Sequence, residues 1–162
     1  MAEDSEADFA VAAVRDEGRW EVAALPPRAA ASLDSLVHAL RQQPGEGGTI
    51  GLVSVGDDFF LALRVAAEDD VRLLISDATA AEDWTLAAEV LEALGEPVPD
   101  ENDDGGPAGD LGIFADLGFD AFELEAICED VERYPDEMLG SIAGRLGFAE
   151  SFEDAVDAAT GR

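Results

Sequence analysis

The chain has 162 residues with no lysine, one cysteine and one histidine, and these shortages remove most of the catalytic repertoire. Without lysine there is no amine for a Schiff base and no Walker-type phosphate loop. A Ser-His-Asp or Cys-His unit would have to be built on His38, which sits mid-helix in a leucine-rich segment and reads as an ordinary surface or half-buried helix residue. One His and one Cys fall short of the three or four ligands that zinc takes. Cys128 follows Ile127 on an apolar helical stripe and reads as a buried, inert thiol. A lone cysteine forms no internal disulfide, which fits a reducing, cytoplasmic compartment. No apolar run approaches the length of a membrane span. The stretch Met1 to Asp8 is acidic and has no apolar h-region, so it is not read as a signal peptide. No cofactor is expected.

Against those shortages stand 38 acidic residues and a formal net charge of −29. Hydrophobic residues make up 48%, far more than a disordered acidic chain carries, so a folded body with an acidic surface is expected. The nine basic residues, all Arg, are scattered, and none falls between Arg72 and Arg133. Direct nucleic-acid binding needs clustered positive charge. This surface repels RNA, DNA and anionic membranes and attracts basic protein surfaces. Solubility, a salt-adapted lineage or a GC-rich genome would account for the same charge.

The apolar pattern predicts an α+β fold. Phe9 to Val14 and Trp20 to Leu25, parted by Arg15-Asp16-Glu17-Gly18, form a hairpin signal. Ser32 to Gln43 reads as a helix capped by Ser32, with Leu33, Leu36, Val37 and Leu40 on one face. Thr49 to Val55, Phe59 to Val65 and Val71 to Ser76 read as strands joined by short loops. Ala80 to Leu94 reads as a helix stopped by Gly95. The order ββαβββα suits a five-stranded antiparallel sheet, profilin-like or longin-like, followed by a C-terminal helical region. The division expected is a sheet domain at 1–95, an acidic flexible linker at 96–110 and helices at 111–162. Within the last part, Leu111 to Leu117, Ala121 to Val131, Pro135 to Leu146 and Ser151 to Ala159 read as short helices. Pro135 falls at a first helical position, and Phe122, Leu124, Ile127, Cys128 and Val131 lie mostly on one stripe.

Other motifs are weak. Gly45 to Gly51 precedes a strand and carries Glu46, so it is read as a helix-to-strand connection and not a phosphate loop. Asp100, Asn102, Asp104 and Gly105 match the first half of a calcium loop, but its twelfth position is Leu111. The pairs Asp57-Asp58, Asp69-Asp70 and Asp103-Asp104 are expected by chance among so many acids.

Three stretches carry a family resemblance: FAVAAVRDEGRWEVAALPPRAAASLDSLVHALRQQPGEGGTIGLVSVGDDFFLALR at 9–64, SDATAAEDW at 76–84, and AGDLGIFADLGFDAFELEAICEDVERYPDEMLGSIAGRLGF at 108–148. On these the chain resembles actinobacterial proteins named for association with a tRNA adenosine deaminase. The resemblance implies a link to the tRNA-editing enzyme and carries over no catalytic residues. A zinc nucleobase deaminase needs H-x-E and P-C-x-x-C segments. Here Ala39 and Leu40 follow His38 and Cys128 has no partner, so the chain is not the deaminase. The expectation is a non-catalytic accessory protein that docks a basic protein partner. The candidate docking residues are Glu123, Glu125, Glu129, Asp130, Glu132, Asp136 and Glu137. Two alternatives stand beside it. One is an acidic scaffold or homodimeric module unrelated to tRNA, and the other is an enzyme using carboxylates and a divalent ion.

Overall fold

Thr49–Val55 is buried at every position, and Phe59–Val65 at every position but one. Successive side chains of a strand point to opposite faces, so this pair must be covered on both sides. In the computed structural model, which describes residues 8–43, 48–56, 58–66, 70–99, 106–130 and 132–160, helices supply both covers.

The strands are β1 (Phe9–Asp16), β2 (Arg19–Ala24), β3 (Thr49–Val55), β4 (Phe59–Val65), β5 (Val71–Ile75) and β6 (Ala108–Gly109). They form one antiparallel sheet in the order β2-β1-β3-β4-β5-β6. The β1–β2 hairpin turns on Glu17 and Gly18, whose φ values of 53° and 79° are both left-handed. Such a two-residue turn matches the twist of the flanking strands. Arg15, Trp20 and Asp16, Arg19 then fall opposite each other.

The sheet has six strands, a correction to the five expected. The sixth comes from the end of the stretch read as linker, where Ala108 and Gly109 pair with Ile75 and Leu74. Gly109 has φ 111°, and a Cβ there would lie 2.3 Å from the Leu73 carbonyl oxygen. Two residues show no alternation, so this strand left no periodic signal.

One face of the sheet presents Ala10, Val53, Phe59, Leu61, Leu63 and Ile75 to α1 (Leu33–Arg41) and α2 (Thr85–Leu94). Ser32 caps α1, its hydroxyl accepting from Ser35 N–H at 3.1 Å. Gly95 ends α2 in the left-handed conformation. A 3₁₀ turn at Ala78–Glu82 replaces the first part of the helix expected from Ala80. Glu89 of α2 accepts from the Leu33 backbone N–H at 2.9 Å, tying the start of α1 to its neighbour.

The opposite face presents Phe9, Val11, Ile50, Leu52, Phe60 and Leu74 to α3 (Ala121–Cys128), α4 (Pro135–Leu146) and α5 (Ala149–Thr160). Leu124, Leu139, Ile142 and Phe152 close this second core. The helices after residue 110 thus share an apolar core with the sheet. Leu111 to Leu117 forms turns and a 3₁₀ segment at Ala115–Leu117 in place of a helix. Phe122 does not join the buried stripe of α3; it is 82% exposed, because Leu124 and Cys128 set the inward face. The connection at 44–47, the calcium-loop-like residues 100–105, Asp57, Asp69, Val131, Arg162 and the N-terminal residues 1–7 lie outside the described residues.

Gly109→Ala is expected to destabilise the fold by about 1–3 kcal/mol through forced backbone strain. Gly144→Ala at an exposed position of α4, where a Cβ meets nothing, is expected to stabilise it by up to about 1 kcal/mol. Urea unfolding of both variants checks the pair.

Candidate functional site

The residues that sequence reasoning singled out for chemistry do not converge. His38 is exposed and its Nε2 lies 3.0 Å from Gln42 Nε2. Cys128 is 8% exposed, and its thiol is pushed up to about 12 by burial first and then by the nearby Glu129 and Glu125. Among the described residues no group of three or more His, Cys, Asp or Glu side chains is placed to hold a metal ion.

The candidate docking acids divide by what they already do. Glu123, in the first turn of α3, pairs with Arg145 of α4, whose guanidinium also lies 5.6 Å from the Phe119 ring centre. It is half-buried and neutralised, so it is not the free surface charge its sequence position suggested. Glu137 caps its own helix, its Oε1 accepting from Tyr134 N–H at 3.0 Å. Asp130 accepts from Glu132 N–H at 3.2 Å in the turn that leaves α3. Glu125 is half-buried, whereas Glu129, Glu132 and Asp136 are exposed.

Asp136 lines a cleft of about 450 Å³ at the end of the sheet where β1 begins and β3 ends. Asp8 supplies a second carboxylate, and Phe9, Val156 and Tyr134 supply apolar and aromatic wall. Tyr134 is 57% exposed. The last turn of α5, which contributes Thr160 to the cleft, contains no basic residue to offset its helix dipole. Two carboxylates, a helix C-terminus and a phenol around an apolar floor favour a cationic side chain. Sequence reasoning reached Asp136 through its charge; Asp8 and Tyr134 could be found only from the fold that brings them beside it.

At the opposite end of the same face lies a pocket of about 490 Å³ lined by Arg15, Trp20, Ile50, Arg64, Asp116 and Leu117 among others. Arg64 is 14% exposed, forks onto both Asp116 oxygens and donates to the Ile113 carbonyl at 2.9 Å. The Arg64 hydrogen bonds hold the Asp116 carboxyl below its ordinary value of 3.8, against an opposing effect of burial.

The geometry defines an α+β protein whose six-stranded antiparallel sheet carries helices on both faces and a cleft at each end of one face. The family described as Rv3753c-like tRNA adenosine deaminase-associated protein matches residues 8–149, and the chain belongs to it. The chain is 40% identical over 159 residues to Protein Rv3753c of Mycobacterium tuberculosis, an alignment covering 96% of this chain and 91% of that protein. No solved structure matches, so the profilin-like and longin-like comparison rests on element order alone. Among the described residues no helix is long and apolar enough to cross a membrane.

Ellman's reagent at pH 8 is expected to leave Cys128 unmodified in the native protein and to titrate one thiol after unfolding. The Asp116–Arg64 pair has a depressed carboxyl, so its stabilisation is present at neutral pH. It is lost as the pH falls below 3.8 and through the lower folded-state value. Urea midpoints of wild type and Asp116→Asn should therefore differ at pH 7 and converge as the pH is taken below 3.8.

Proposed function

We propose that the protein is a non-catalytic accessory protein of a tRNA adenosine deaminase, acting in the cytoplasm and docking a basic protein surface against its acidic C-terminal side. The observation that carries this reading is the cleft of Asp8, Tyr134 and Asp136, an aromatic and carboxylate setting for an arginine or lysine side chain. Elsewhere on α3 and in the turn that leaves it, Phe122, Glu129 and Glu132 are exposed. Interfaces draw their energy from a few aromatic anchors, while complementary charge steers encounter. The family description supports the choice of partner. An enzyme that grips tRNA carries basic surface, which an acidic accessory protein would meet or compete for.

The direct test is capture of the tRNA adenosine deaminase from its own cells by the tagged protein. It is paired with measurement of wobble inosine in a strain lacking the gene. Co-purification with altered inosine supports the reading; no capture with unchanged inosine removes it. The triple variant Glu129→Arg, Glu132→Arg, Asp136→Arg is expected to weaken the complex by about tenfold or more and to flatten its salt dependence. Tyr134→Ala is expected to weaken it by about tenfold with the salt dependence retained. Titration calorimetry at two salt concentrations reads both effects.

A further inference from the structure

We propose that the pocket between the β1–β2 hairpin and the Ala115–Leu117 turn binds a small organic carboxylate carrying a ring or a compact apolar body. Its volume of about 490 Å³ falls in the range of small-molecule sites. Strand register builds it. Arg15 continues the face of Phe9, Val11 and Ala13, Arg64 that of Phe60 and Ala62, and Arg72 that of Leu74. Three of the nine basic residues therefore lie toward one end of one sheet face, and two of them, Arg15 and Arg64, line this pocket. Arg64 and Arg72 fall directly opposite each other across β4 and β5, an arrangement of like charges that costs stability unless it is compensated.

Part of the compensation is visible. Asp116 takes the fork of Arg64, and Asp110 lies 3.8 Å from Arg72. Those pairs dock the segment after β6 onto the sheet, and docking accounts for both arginines. It does not account for Arg15. No carboxylate among the described side chains lies within ion-pair distance of Arg15. Its guanidinium is held 5.7 Å from the centre of the Trp20 ring, and Trp20 is braced by Phe148 at 4.9 Å. The cation is thus placed by an aromatic face and lines a pocket whose other walls include Ile50 and Leu117.

The lining also limits the ligand. Glu17 and Asp116 stand beside the two arginines. Their negative charge disfavours a dianion or polyanion more than a single negative charge. The net charge of −29 works in the same direction against nucleic acid and polyphosphates. A monoanionic carboxylate satisfies Arg15 by a charge-assisted hydrogen bond, and its body fills the apolar wall.

The test uses the full-length protein and benzoate as probe, with benzamide as its uncharged twin and phenyl phosphate as the dianion. Roughly 0.15 M NaCl screens the long-range field beyond about 8 Å. Amide and indole NMR signals of Gly18, Trp20 and Gly48 report the pocket, and the Trp84 indole reports a remote site. The expected result is saturable shifts confined to the pocket, with benzoate about tenfold tighter than either comparison compound. Arg15→Gln should weaken benzoate by about tenfold and leave the melting curve unchanged. Absence of saturation, equal binding of benzamide, tighter binding of phenyl phosphate, or unchanged affinity in Arg15→Gln overturns the assignment. Should Arg15→Gln fail to fold, Trp20→Phe carries the same test, with a loss of benzoate affinity expected and unchanged affinity overturning it.

Discussion

Burial of the β3–β4 pair on both faces is the constraint from which the rest of the molecule follows. Antiparallel sheets commonly leave one face to solvent and show a clean apolar–polar alternation. Here Leu52 and Val53, or Phe60 and Leu61, are neighbours in sequence, point to opposite faces and are all buried. Each face needs its own cover, so α1 and α2 take one and α3 to α5 take the other. The clefts form at the strand ends, where the second cover stops. Their chemistry is whatever the end residues supply: Arg15 and Arg64 at one end, Asp8 beside Asp136 at the other.

Two-sided burial also explains where the charge can go. With the strands closed to solvent, the buried polar residues among those described are Thr49, Ser54 and Ser76. Ser76 accepts from the Phe60 backbone N–H at 2.9 Å, while the Ser54 hydroxyl has no partner among the described residues. The carboxylates are therefore pushed to helix surfaces and turns. There some do local work, as Glu137 does for Tyr134 and Asp120 for Glu123 N–H, and others face water unpaired. A surface with this excess of one sign raises association rates with basic partners and lowers those with polyanions.

Much of the first half was legible because it uses strong local signals. Ser32 caps a helix with clear period, Gly95 ends one in a left-handed turn, and Pro135 opens another. The strand order ββαβββα followed from apolar runs and short connections. What stayed hidden depends on long-range placement. The strand Ala108–Gly109 is too short for any period. Phe122 lies on the side of α3 away from the face set by Leu124 and Cys128, and a helix of 8 residues gives too few turns to define a stripe. Glu123 reads as free surface charge until α4 brings Arg145 to it. Arg15, Arg64 and Arg72 look scattered along the chain, yet strand pairing sets Arg64 opposite Arg72, and the fold brings Arg15 and Arg64 to one pocket.

The shared core of sheet and C-terminal helices bears on how the chain is made. Synthesis runs from the N-terminus, so β1 to β5, α1 and α2 leave the ribosome before α3 to α5 exist. Until those helices emerge, Phe9, Val11, Ile50, Leu52, Phe60 and Leu74 form an uncovered greasy plane. At about 5–20 residues per second that interval lasts on the order of seconds, ample time for nascent chains to stick to one another or to attract a chaperone. The heavy load of like charge already translated keeps neighbouring nascent chains apart during that wait.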